Sequence, residues 1–317
     1  MANKKTLLLI GVSGLTGYKL GKRAGSKYSL YGTYNYRSLM LDSCELSKLD
    51  ITKEEEAANF IGLVKPDLVV NTAALHNVDY CETHREEAFK INVDAVRNLA
   101  LIVNKIGARL IHISTDFVFD GRKGHYTEND KPSPLSYYAL TKLEGEKAAQ
   151  EAISYAVIRP SVVYGWTPLE TAQTKSSSGK PMNFGLWCVT KLSKKEEIKA
   201  LTDQYTSPTL ADNLADVIIA LAESEMNGTY HASGLSCLNR YDFVRKLAEV
   251  MGFSPSLVKP ITSDQFAQIA PRPKNSCLDC GKVAKELDTK LLTAEESLEI
   301  MKEQIKLESP NLLSGID

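Results

Sequence analysis

No stretch of this 317-residue chain is apolar for long. The opening segment, MANKKTLLLIGVSG, has a short apolar run that stops at a glycine turn. A signal-peptide core or a spanning helix of about 20 residues needs more, so no membrane is expected. Charge of one sign is also lacking. Lys and Arg total 38 against 39 Asp and Glu, a formal net of -1. No bulk field draws the protein to nucleic acid or an anionic bilayer. Cysteines are few and scattered: Cys44, Cys81, Cys188, Cys237, Cys277 and Cys280. Without a secretory signal, reduced thiols and a cytoplasmic location are the expectation. Cys277-Leu-Asp-Cys280 is a lone CxxC with no further ligands at suitable spacing, so it reads as a strand end with one buried thiol, and no metal is expected. Repeats are absent, and low complexity is confined to Ser176–Ser178.

What is present is ordinary globular composition, 43% hydrophobic and 24% charged, on a chain long enough to bury a large core. Apolar runs alternate with amphipathic ones. Strands are predicted at Lys5–Val12, Ser29–Tyr34, a short run ending in Leu49-Asp50-Ile51, LVVNTAAL after Pro66-Asp67, Ala108–Ile113 and Ala156–Val163. Between them lie helical segments, among them TKEEEAANFIGLVK, with Thr52 as its cap, and one long helix from Glu86 to Ile106. This alternation predicts an α/β fold, a Rossmann-type doubly wound parallel sheet. Ligands bind such sheets outside the carboxyl ends of the strands.

The first strand runs into Gly11-Val-Ser-Gly14-Leu15-Thr16-Gly17 and then a helix. The spacing is GxxGxxG, and the physics is that of the dinucleotide fingerprint. Glycines allow a tight turn and close backbone approach, and the helix N-terminus favours an anion. After the second strand, an adenosine ribose with a free 2′-hydroxyl would call for Asp or Glu. The residues are Asn35, Tyr36, Arg37 and Ser38. A guanidinium there favours a 2′-phosphate, hence NADPH, with NADH the alternative. Asp50 and Ile51 sit where an adenine edge would lie, although Asp50 equally suits a turn. The small residues Thr72, Ala73 and Ala74 let a flat cofactor approach the backbone, and Asn92 lies on the following helix.

The stretch from Ile111 to Lys147 carries the chemistry: IHISTDFVFDGRKGHYTENDKPSPLSYYALTKLEGEK. Ser114 and Thr115 end a strand. Tyr138 and Lys142 are four apart, so on a helix they share a face. A phenol, an ammonium and a hydroxyl together suit carbonyl reduction. A free phenol titrates near 10, and a neighbouring ammonium would lower it. The KLEGEK segment reads as charged surface. Asp116 either touches substrate or caps the next loop.

These motifs identify the chain as similar to the extended short-chain dehydrogenases/reductases. GVSGLTG, NTAA, Asn92 in KINVDAVRNL, STD, Tyr138-x-x-x-Lys142 and RPSVVYG carry the likeness. More narrowly it resembles the dTDP-4-dehydrorhamnose reductase family, through STDFVFDG, PLSYYALTKLEGEKA, DQYTSPTLADNLADVI, GTYHASG and PRPKNSCLD. The resemblance implies reduction by NADPH of the C4 ketone of a nucleotide-linked 4-keto-6-deoxy sugar. Tyr138 would be the acid, Lys142 the stabilising cation, and Thr115 would orient the carbonyl. Phe117 stands where the family commonly has Tyr, and Val162 where rhamnose-forming members often have Trp facing the sugar. Two rivals follow from the same fold: an epimerase or dehydratase, and a noncatalytic NADP-binding subunit like the regulatory beta subunit of methionine adenosyltransferase. Some relatives form homodimers.

In the C-terminal half, residues 167–181 read as a polar lid, and Arg272 in Pro271-Arg272-Pro273 suits either a substrate phosphate or a salt bridge. The expected division is an NADP-binding domain over 1–165, with 202–226 returning to it, and a smaller substrate domain from 166–201 and 227–317.

Overall fold

The computed structural model describes residues 4–168 and 182–313. Most of the expected lid, from 169 to 181, lies outside the described residues. Strand β1 (Thr6–Ile10) is apolar on both faces. Leu7 and Leu9 join one core cluster with Val70, Ile111 and Ile158. Leu8 and Ile10 join the other, with Val69, Leu110 and Val157. A strand covered on both sides is the signature of a parallel sheet with helices on each face. The sheet contains β1, β2 (Ser29–Tyr34), β3 (Cys44–Lys48), β4 (Leu68–Asn71), β5 (Arg109–Ile113), β6 (Tyr155–Arg159) and β7 (Gly228–His231). Its order is β7-β6-β5-β4-β1-β2-β3, and every pairing is parallel. The order reverses between β1 and β4, which opens a crevice at their carboxyl ends. Strand β7 comes from the stretch assigned above to the substrate unit, yet it completes the sheet of the first.

Helix α1 (Leu15–Ala24) starts at Gly14, which offers no side-chain cap. Its first-turn N–H groups are therefore left for a ligand. Helix α2 (Glu54–Val64) begins with three glutamates, favourable charge for its N-terminal dipole. The expected strand end at Asp50-Ile51 is corrected: β3 stops at Lys48. Asp50 accepts from the Thr52 N–H (3.0 Å) and hydroxyl (2.7 Å), closing a turn, and Ile51 is core. Both bonds go to Oδ1, so Asp50 closes its turn through one of its two carboxylate oxygens.

The single helix expected from Glu86 to Ile106 is interrupted. After a short α3 (Val78–Thr83), α4 (Arg85–Phe89) leads into a π turn at Lys90–Asp94, and α5 (Ala95–Ile106) follows. Such turns insert a residue and re-aim a side chain. Here the side chain is Asn92. It accepts from the Leu75 N–H (2.9 Å), donates to the Leu75 carbonyl (3.0 Å) and donates to Thr141 Oγ1 (3.0 Å). Asn92 therefore clamps the chain after β4 to helix α6 (Tyr137–Ala149) and does not face a cofactor. On the α6 side the clamp relies on Gly145, where a Cβ would come within 2.2 Å of the Asn92 carbonyl.

The expectation of reduced thiols throughout also changes. Cys237 and Cys277 form a disulfide, with Cα atoms 5.6 Å apart, and Cys280 is the free buried member of the CxxC. The partners are 40 residues apart in sequence, and only the fold brings them into bridging range. A loop of this size implies roughly 4 kcal/mol of stabilisation through the unfolded chain. Thermal unfolding with and without dithiothreitol should therefore differ by roughly 6 °C, and Cys237→Ser should remove the difference. Equal midpoints would show that the bridge contributes nothing.

Candidate active site

Helix α6 sets the geometry of the site. Ser136 caps it, accepting from the Ala139 N–H, and Tyr138 and Lys142 fall one turn apart within it. Both are buried, at 8% and 1% exposure. Opposite them Ser114 and Thr115 follow the end of β5. Thr115 lies within hydrogen-bond reach of the Tyr138 phenol, and its own hydroxyl donates to Asp116 Oδ1 (3.1 Å). Ser114 is differently engaged: its hydroxyl donates to Glu146 at 2.5 Å. Of the two hydroxyls, Thr115 is the one turned to the phenol.

These residues line one cleft of about 470 Å³. Gly14, Leu15, Thr16, Gly17 and Arg37 line it, as do Thr72, Ala74, Ser114 and Thr115. Asp116, Phe117, Tyr138, Lys142 and Val162 line it too. Gly11 and Ala73 lie behind the wall. Gly11 has φ +82°, and a Cβ there would meet the Ala73 nitrogen at 2.9 Å. At Gly17 a Cβ would meet the Gly11 carbonyl at 2.3 Å. Any larger residue would push helix and loop apart, so the glycines make a tight cradle open at the α1 N-terminus. Arg37 reaches back to the loop, donating to the Ser13 carbonyl. A cradle of bare N–H groups beside a guanidinium fits a dinucleotide pyrophosphate and a further phosphate.

Of the expected substrate contacts, Asp116 is heavily engaged by protein and Arg272 is corrected. Asp116 lines the cleft, but its carboxylate is already taken by three hydroxyls, Thr115, Ser161 (2.7 Å) and Ser276 (2.5 Å). It ties the β5 loop to two other segments and orients Thr115. Burial pushes its pKa up, against the three hydrogen bonds. Arg272 forms a two-pronged ion pair with Asp79 (2.5 and 2.8 Å) and lies outside this cleft. That pair holds the Asp79 carboxyl down at about 2.

Burial pushes the Tyr138 phenol upward, opposed by the Thr115 hydrogen bond. It lowers Lys142 to about 8. Lys142 Nζ points at the sheet, 2.6 Å from the Ile113 carbonyl and 3.3 Å from His112 Nε2. The expected lowering of the phenol is overturned: burial dominates and the shift is upward. Phe117 packs edge-on against the Tyr138 ring, centroids 6.3 Å apart. Val162 has φ +41°, a left-handed conformation that a β-branched residue adopts only at a cost on the order of 1–3 kcal/mol.

A family model described as the RmlD substrate binding domain matches residues 5–306. The chain belongs to the RmlD substrate-binding domain family. It is similar to the probable low-salt glycan biosynthesis reductase Agl14 of Haloferax volcanii, 32% identical over 91% of this chain and 94% of the relative. A dTDP-4-dehydrorhamnose reductase from Aggregatibacter actinomycetemcomitans is 31% identical, covering 87% of this chain and 91% of the relative. Methionine adenosyltransferase 2 subunit beta from rat is 34% identical over 75% of this chain and 70% of the relative. Among solved structures, a Bacillus anthracis dTDP-4-dehydrorhamnose reductase in complex with NADP superposes with a TM-score of 0.83 at 26% identity. That match covers 95% of this chain and 99% of the other.

Within this RmlD-family cleft, sequence reasoning missed Arg240. It begins the helix Arg240–Met251 beside its cap Asn239, and its guanidinium stacks 4.8 Å from the Phe184 ring. Both residues line the cleft. An Asn before a helical run is a cap signal that could have placed the helix start, but nothing local indicates which way the arginine points.

Proposed function

We propose that the protein reduces the C4 ketone of a nucleotide-linked 4-keto-6-deoxy sugar with NADPH, as in the dTDP-rhamnose branch. One observation carries the reading. A single cleft joins a phosphate cradle with a guanidinium, Gly14–Gly17 and Arg37, to a phenol, an ammonium-forming amine and a hydroxyl, Tyr138, Lys142 and Thr115. When bound, the nicotinamide supplies the hydride. The chain's own residues do the rest. Thr115 turns its hydroxyl proton from Asp116 to the carbonyl oxygen and orients it, Tyr138 gives its phenolic proton to the developing alkoxide, and charged Lys142 stabilises the phenolate left behind. The apolar walls, Phe117 and Val162, exclude water from the reacting end. The glycine cradle and Thr72–Ala74 support the flat cofactor.

The division of labour proposed with this reading is 1–165 and 202–226 for the cofactor, and 166–201 and 227–317 for the substrate, with β7 as a structural exception. Assembly as a homodimer and a cytoplasmic location complete it. Among the described residues no helix is long and apolar enough to cross a membrane. A solution mass of one chain would remove the dimer.

Incubating the protein with NADPH and dTDP-4-keto-6-deoxy sugar should give a loss of absorbance at the nicotinamide band, with a deoxysugar product. Tight NADPH binding without turnover on any keto sugar would overturn the reductase reading and leave a cofactor-binding subunit. Arg37→Ala should raise the KM for NADPH by roughly 10- to 150-fold, the worth of a lost charged hydrogen bond, while leaving the KM for NADH nearly unchanged. An equal effect on both cofactors would remove Arg37 from the 2′-phosphate.

A further inference from the structure

Behind Lys142 lies a buried row of side chains that the proposed reduction does not use. Asn71 ends β4, His112 sits beside it on β5, and both are 0% exposed. Asn71 Nδ2 is 3.3 Å from His112 Nδ1, and His112 Nε2 is 3.3 Å from Lys142 Nζ. The amide at the far end of the row is oriented, because Asn71 Oδ1 accepts from the Ala73 N–H at 3.1 Å.

The directions of these hydrogen bonds follow in sequence. With its oxygen on Ala73, Asn71 presents NH₂ to the ring, so His112 Nδ1 must accept. A neutral imidazole then carries its one proton on Nε2, and that N–H points at Lys142. An amine that accepts there is uncharged, and it keeps a proton to donate to the Ile113 carbonyl, 2.6 Å away. A charged Lys142 would need Nε2 to accept. Nδ1–H would then face the Asn71 NH₂, or a flipped Asn71 would face the Ala73 N–H with another donor. Every arrangement with an ammonium in this position leaves two donors opposed.

We propose that His112 is a positioning residue for Lys142: donating its Nε2–H, it favours the neutral amine and so sets the upper pH limit of the activity. Burial acts in the same direction, lowering Lys142 to about 8 and His112 well below its usual value, so the ring stays neutral. The other charged groups near the lysine do not reverse this. Glu146, one turn along α6, raises Lys142, but its carboxylate is bound by Arg159 from β6 and by Ser114. Tyr138, one turn before it, is a neutral phenol over this range, and Asp116 is held by its three hydroxyls. Asn71, Asn92 and Thr141 are uncharged. The sign follows directly. Lys142 is charged below about 8 and able to stabilise a phenolate; above it the amine is neutral and turnover falls.

The pH-limit part rests on the Tyr138–Lys142 reading of the reaction, whereas the tautomer does not. Long-range proton–nitrogen NMR of the full chain reads the tautomer without any assay. The chain has five histidines, and the second buried one is an internal control. His231 Nδ1 is 2.9 Å from the Tyr126 carbonyl, so its proton lies on Nδ1. The expected spectrum shows His231 protonated on Nδ1 from pH 6 to 9, and His112 protonated on Nε2 at pH 9, where Lys142 is neutral, shifting toward Nδ1 as Lys142 gains its proton below about 8. His112 with its proton on Nδ1 at pH 9, or doubly protonated at any pH in this range, would overturn the assignment. In the activity profile, kcat should fall above about pH 8, and His112→Phe, which removes the donor, should move that limb upward by about a unit. A His112→Phe enzyme that is slower or less stable but keeps the same limb would show a packing role only and overturn the proposal.

Discussion

Tyr138→Phe should lower kcat by on the order of 100- to 10,000-fold, the range for loss of a positioned proton donor. The affinity for NADPH should change little. The hydroxyl is the only group removed, and the ring keeps its edge-on contact with Phe117. Its removal frees Thr115 from one hydrogen-bond neighbour but leaves that hydroxyl anchored on Asp116. The fold should therefore be undisturbed, and the loss should appear in kcat with KM for sugar within a few-fold. Stopped-flow oxidation of NADPH under single-turnover conditions measures the step directly. A variant retaining more than a tenth of the rate would move the acid elsewhere, and Tyr137 is the next phenol in the chain.

Glu146→Ala should be the most destabilising single change on helix α6. The Glu146 and Arg159 side chains are 2% and 5% exposed, and Arg159 meets the carboxylate through Nε (2.8 Å) and Nη2 (2.6 Å). Arg159 also approaches His231 and lies over the Phe119 ring, so it has no route to water. Removing the carboxylate leaves that guanidinium buried and uncompensated, at a cost of roughly 3–5 kcal/mol. Ser114 loses its acceptor as well. Glu144, two residues earlier, supplies the contrast. It pairs with Lys147 at the surface, and Glu144→Ala should cost less than about 0.5 kcal/mol. Urea midpoints of the two variants test the pair. Equal values would mean that Arg159 finds another partner.

The contrast between Glu144 and Glu146 shows how far the sequence can be read. KLEGEK looks like a uniform charged surface, and half of that reading is right. Local pattern distinguishes an apolar residue from a charged one, but not a charged residue facing water from one facing a buried arginine thirteen positions away. Asn92 is a similar case. Its motif marked it as part of the site, yet its three hydrogen bonds all go to protein, through a π turn that no helical periodicity announces. Asp50 and Arg272 were each open between a ligand and a structural partner. Asp79 decided for structure at Arg272, whereas Thr52 engages only one of the two Asp50 oxygens.

The sequence by itself determined the parallel sheet, the glycine cradle after β1, the guanidinium after β2 and the Tyr–Lys pair on one helix face. Each is written within a few residues, as a two-residue or four-residue period or a turn that only glycine permits, and near neighbours in the chain are near neighbours in space. The tertiary structure alone decided the partners: Cys237 with Cys277, Glu146 with Arg159, Arg240 over Phe184, and the row Asn71–His112–Lys142. These pairs join different elements, and their identity depends on which strand ends the fold sets side by side and on how deeply it buries them. Burial then turns an ordinary lysine and histidine into a pair whose proton positions are tied to one another.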